Sequence, residues 1–225
     1  MGHPRERRDR RAAPSGSQVT ARLPGIPPED LDDAQAEVYR AITGGPRAAG
    51  PQVFPLTDEL GRLRGPFNAM LLSPPVGGAL QALGAAVRYG SALSGRVREM
   101  AILVVAAHWG SDFERAAHEA VGRACGLSEA ELTALREGRP PDLADLADPA
   151  ERAAVHAARE LAGAGALSEE DYRAVTAAIG ERGLFELTTL VGYYATLALQ
   201  LRVFAGESTP HAGPPDPTPP DPRHG

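Results

Sequence analysis

The chain has 225 residues, a net charge of −6 and an apolar share of 43%, the proportions of an ordinary globule built as one good-sized domain or two small ones. The acidic balance argues against generic nucleic-acid binding, which needs a positive surface to displace counterions from phosphates. A lone cysteine, Cys125, excludes an intramolecular disulfide framework and a two-thiol redox centre, and the absence of lysine excludes Schiff-base chemistry and a P-loop.

The N-terminal "MGHPRERRDRR" is followed by "AAPSGSQ" and not by the apolar segment of a signal peptide, and no apolar run reaches the roughly 20 residues of a membrane span. A cytoplasmic location without membrane contact is the expectation. Residues 1–24 and 207–225 are dense in Arg, Pro, Gly and Ser and read as disordered tails flanking one helical domain over 25–206. Within it, "PPEDLDDAQAEVYRAITGG" predicts a helix, with acids in its first turn and a double-glycine stop. The stretch "AGPQVFPLTDELGRLRGPFNAMLLSPP" is broken by Pro and Gly and predicts a loop with short helical turns, long enough to carry function.

"PVGGALQALGAAVRYGSALS" follows as a helix of small and apolar residues. "SGRVREMAILVVAAHWG" then starts at a capping Ser94 and turns almost wholly apolar, so it must be buried on nearly all sides. Its "VV" pair would also suit a strand, but few alternating runs exist to pair with it. Helices continue through "SDFERAAHEAVGRACG", "LSEAELTALREG", "DPAERAAVHAARELAGAG", "LSEEDYRAVTAAIG" and "ERGLFELTTLVGYYATLALQLRVF". "GLSEAEL" and "ALSEEDY" both set a serine before an acidic first turn. The reading is all-α, a single-domain helical bundle.

The segment "LSGRVREMAILVVAAHWGSDFERAAHEAVGRACGLSEAELTALREG" resembles the carboxymuconolactone decarboxylase and alkylhydroperoxidase D-like family. The resemblance rests on Arg98 and Glu99 opening a buried helix, His118 on the next helix, then Gly126, Leu127 and Ser128. "GPFNAMLLSPP" and "VGYYATLALQLRVF" are similar to the longer, decarboxylase-like branch. In the peroxidase branch two cysteines stand seven and four positions before the histidine, where this chain has Ser111 and Glu114. A hydroxyl and a carboxylate cannot reduce a peroxide and form a disulfide, so peroxidase activity is not carried over. The resemblance implies a metal-free and cofactor-free reaction in which a carboxylated lactone loses carbon dioxide and the resulting carbanion is protonated. It also implies a homo-oligomer, a trimer or hexamer.

On this reading His118, Glu99 and Glu114 are the catalytic candidates, a histidine being suited to proton delivery at neutral pH when a carboxylate fixes its tautomer. Each also has a structural reading: Ser111 and Glu114 form the Ser-x-x-Glu of a capping box, Glu99 suits a helix start, and an inward His118 could be a satisfied core residue. Arg64 and Arg98 are the candidate counter-charges for an anionic substrate. Ser111, Phe67, Asn68, Tyr193 and Tyr194 are further substrate-pocket candidates, as are His108 and Trp109, which equally suit a helix C-terminus and a closed core. His156 reads as ordinary. A metal site is not expected, because one histidine and one or two carboxylates fall short of a usual ligand set. The leading expectation is an acid–base enzyme acting on a small carboxylated or lactone-like molecule, by decarboxylation or isomerisation. A non-catalytic oligomeric binding module is one alternative, and a family member redeployed on a larger biosynthetic substrate is another.

Overall fold

Serine and aspartate caps set most helix boundaries in the computed structural model, which describes residues 22–49, 54–138 and 148–205. The first helix, α1 (Asp33–Thr43), starts later than the sequence suggests, because Pro28–Asp30 close a separate 3-10 turn. Asp32 then forms a reciprocal capping box with Gln35. The broken stretch that follows holds an isolated bridge between Thr57 and Leu63 and the short α2 (Phe67–Met70). The tails lie outside the described residues except for Arg22 to Pro24, and the Leu23 amide donates to the Phe204 carbonyl at the far end of the chain.

The succeeding helices are α3 (Pro74–Tyr89), α4 (Gly95–Trp109), α5 (Asp112–Ala124), α6 (Glu129–Arg136), α7 (Pro149–Gly163) and α8 (Glu169–Gln200). Ser94, Ser111, Ser128 and Ser168 each cap a helix by accepting from a backbone amide three residues on. Helix α8 bends at Gly180, whose φ of 74° breaks the helical backbone where the sequence suggests two helices. Val104 and Val105 lie in α4, so the strand alternative does not hold. Among the described residues there is no strand, and no helix is long and apolar enough to cross a membrane.

Helix α4 is the axis of the bundle and packs against α5, α6, α7 and α8. Met100, Ala101, Ile102 and Val105 are fully enclosed, as its unbroken apolar run requires. Arg96 ties its first turn to α6 and α7 through ion pairs to Glu131 and Glu151, both at 2.6 Å, and donates to the Gly126 carbonyl.

Helices α2 and α3 meet at a contact with no room for a side chain. A Cβ on Gly77 would lie 2.0 Å from the Met70 carbonyl oxygen and 2.7 Å from its carbon. In an open helix Gly→Ala gains up to about 1 kcal/mol. Gly77→Ala is expected to lose about 3 kcal/mol, because backbone must yield to the methyl. Urea unfolding of the variant reads the sign directly.

Candidate active site

Ser111 ends a one-residue turn at Gly110 and folds α5 back along α4. This brings His118 opposite Glu99, and the histidine Nδ1 lies 2.6 Å from the Glu99 Oε2. Both side chains are buried, at 5% and 3% exposure. Glu99 stands in the second turn of α4, too deep for the helix-start reading, and its partner is the imidazole. Because an ionised carboxylate only accepts, the contact fixes the proton on Nδ1 and leaves Nε2 for proton transfer.

The charges around this pair favour a neutral histidine beside an ionised glutamate. Burial lowers the His118 pKa; Glu99 pulls it upward, Arg88 and Arg47 push it down, and the net result lies below the ordinary value. For Glu99 burial pushes upward, but His118, Arg88 and Arg98 outweigh it and hold the carboxyl below the usual range. Arg88 is the nearest permanent cation, with a guanidinium nitrogen 4.0 Å from the Glu99 Oε1. The Tyr194 ring meets the imidazole edge to face at 5.0 Å, and burial pushes its phenol pKa far up.

A narrow cavity of about 20 Å³, room for roughly one water, opens beside His118. Its walls include Glu114, Phe67, Tyr194, Arg47 and Arg88. Four sequence candidates, His118, Glu114, Phe67 and Tyr194, therefore converge there, with Glu99 behind the histidine. Tyr193 stands one step back, where its hydroxyl accepts from Arg47 at 3.2 Å.

The other candidates are placed elsewhere. Ser111 is buried as the cap of α5 and accepts from the Glu114 amide, while its own amide donates to the Ala106 carbonyl. Only half of a capping box forms, because Glu114 turns its carboxylate to the cavity. Arg98 donates to the Leu93 carbonyl at 2.8 Å and is held at the head of α4. Arg64 and Asn68 line a different groove of about 530 Å³. His108 borders a separate cavity of about 170 Å³ and is stacked edge to face by Trp109.

Arg47 and Arg88, not Arg64 and Arg98, are the arginines at the His118 cavity, and sequence reasoning passed over both. Arg47 is turned inward by Gln81, whose side-chain and backbone oxygens accept from it, and its guanidinium lies over the Phe67 ring. Gly84 leaves the room, since a Cβ there would come within 2.3 Å of the Arg47 guanidinium. The one available signal was Gly84 on α3, whose missing side chain makes room for Arg47, while Arg88 lies on α3 itself. Cys125 ends α5 away from the cavity, and burial pushes its thiol pKa up. Among the described residues no three His, Cys, Asp or Glu side chains converge as metal ligands.

No curated protein matches the chain. Among solved structures, the debrominase Bmp8 in its apo form superimposes with a TM-score of 0.59 at 15% identity, over 84% of this chain and 90% of that one. A cysteine-to-alanine variant of Bmp8 in complex with 2,3,4-tribromopyrrole gives 0.56 at the same identity and coverage. At that identity the likeness speaks for the fold alone. The sequence model of the carboxymuconolactone decarboxylase family matches residues 74–160, the span from α3 through most of α7 that carries Arg88, Glu99, Glu114 and His118, so the likeness to that family lies in this helical core.

Proposed function

We propose that the protein is a cofactor-independent acid–base enzyme that decarboxylates or isomerises a small carboxylated or lactone-like substrate. The observation that carries this is the buried 2.6 Å contact between His118 and Glu99 in a cavity also lined by two arginines. Arg88 and Arg47 supply the counter-charge for a substrate carboxylate. A bound anion also offsets the arginines that depress His118, so the imidazole takes up a proton as substrate binds. When the carbon–carboxylate bond breaks, its electron pair stays on carbon as an enolate-like anion and carbon dioxide leaves. The His118 Nε2 then delivers its proton to that carbon and returns to the neutral form. Glu99 holds the ring and balances the transient imidazolium, and Glu114 offers a second carboxylate in the same space.

The experiment offers γ-carboxymuconolactone to purified protein freed of metals and follows carbon dioxide release. Release above the buffer rate, lost in His118→Ala, is the expected outcome. No release removes this substrate, and undiminished release in the variant removes the mechanism.

Self-association is part of the proposal. Phe185 and Leu199 on α8 and Val203 in the turn just after it are exposed at 71%, 46% and 51%, apolar surface that a second copy would cover. Light scattering should then give a trimer or hexamer. Assembly without chemistry, the alternative role, would leave His118→Ala with the same oligomer and no activity to lose.

A further inference from the structure

The His118 cavity is too small to hold an organic substrate as it stands, yet a groove of about 530 Å³, within the usual range of ligand sites, lies directly beside it. Pro66 and Phe113 are walls of both spaces. We propose that the groove is the outer chamber of the His118 site and that Phe113 is the gate between the two. The ligand class is a carboxylate that also carries a hydroxyl or N–H donor. The inference rests on His118 being the reacting group.

The seat of Phe113 is built for a ring that moves. Gly65 has a φ of 59°, and a Cβ there would lie 2.2 Å from the Phe113 Cζ, so the ring rests on bare backbone. It also meets the Phe54 ring, edge to face at 6.2 Å. Phe113 sits in the first turn of α5, where the Ser111 cap fixes the backbone and leaves side-chain rotation as the available motion.

The chamber's polar groups indicate what it takes. Arg62 is spent on Asp58, which lies 2.7 Å away, whereas Arg64 is exposed at the rim and offers its guanidinium to an anion. Asn68 and Gln200 each keep a buried side-chain oxygen with no hydrogen-bond partner. For Asn68 the amide orientation is fixed, because its nitrogen donates to the Pro24 carbonyl at 3.2 Å. An unsatisfied buried acceptor is costly, and a ligand N–H or O–H that opens the wall relieves that cost.

Diethyl pyrocarbonate labelling of the full chain tests this, with His118 modification read by peptide mass spectrometry against His156, whose side chain is 44% exposed. The ratio should be low in the wild type, rise in Phe113→Leu and rise about tenfold in Phe113→Ala, as when a local opening is made permanent. Leu83→Ala, at an exposed position on α3 that lines neither space, should leave it unchanged. Millimolar 4-hydroxybenzoate should protect His118 in the wild type, and Arg64→Gln should weaken that protection about threefold, the scale of an exposed ion pair. An unchanged ratio in Phe113→Leu, which keeps an apolar seat if Phe113→Ala does not fold, overturns the gate. Absent protection, or protection indifferent to Arg64, overturns the ligand class. The readout is accessibility and not turnover, so a chain inactive on γ-carboxymuconolactone still decides the gate.

Discussion

Replacing His118 with glutamine is expected to lower kcat by about 10²–10⁴-fold on whatever substrate the protein turns over, the usual worth of one positioned proton-transfer group. Glutamine can still donate an amide hydrogen to Glu99 and fill most of the space beneath Tyr194, so the variant removes the proton carrier more than the packing. A second readout tests whether the histidine is buried in its neutral form. Because burial lowers its pKa, the folded chain binds fewer protons than the unfolded chain between the depressed value and the ordinary one of about 6.5. Stability from this group is therefore complete above about 6.5 and is lost as pH falls through the folded value. Urea unfolding at a series of pH values should show wild-type stability rising across that window, while His118→Gln lacks the rise. Glu99, held low in part by His118 itself, has a lower window of the same sign that the substitution also changes, so the two proteins are compared above the carboxylate range. A wild-type-minus-variant difference that does not vary with pH would mean that His118 is not held neutral.

The fold was legible because its signals are local. Ser94, Ser128 and Ser168 announce helix starts through a hydroxyl three residues before the amide it receives, and the apolar run of α4 can be satisfied only by burial from several sides. The buried Glu99–His118 pair was legible through family resemblance, since nothing local says that the two meet across the turn at Gly110. Arg47 and Arg88 were not legible. An arginine on a helix with an exposed side reads as a solvated one, and what turns Arg47 inward is a set of distant partners, Gln81, Phe67 and Tyr193. The Ser-x-x-Glu pattern shows the same limit from the other direction. The motif suits a reciprocal cap, yet the Ser111 amide is taken by Ala106 and the Glu114 carboxylate goes to the cavity. Tertiary partners decide between two uses of one motif.

Arg88→Met and Glu99→Gln should move the alkaline limb of the kcat/KM profile, where the protonated histidine is lost, in opposite directions. The Arg88 cation disfavours the imidazolium, so its removal raises the His118 pKa, and the limb where the proton-donating imidazolium is lost moves to higher pH. The Glu99 carboxylate favours the imidazolium, so a neutral amide in its place leaves burial and the arginines unopposed, and the limb moves lower. The steady-state constants should separate as well. Arg88→Met removes a charge-assisted contact to the substrate carboxylate, worth about 1.5–3 kcal/mol or roughly ten- to a hundredfold in KM. Glu99 is a positioning residue that acts through the histidine, so Glu99→Gln should act mainly on kcat, by about 10²-fold or more, with a smaller change in KM. General damage to the bundle predicts otherwise, since both variants would then lose activity with the limb where the wild type has it. Limbs displaced the same way would show that packing, and not the charges facing His118, sets its proton affinity.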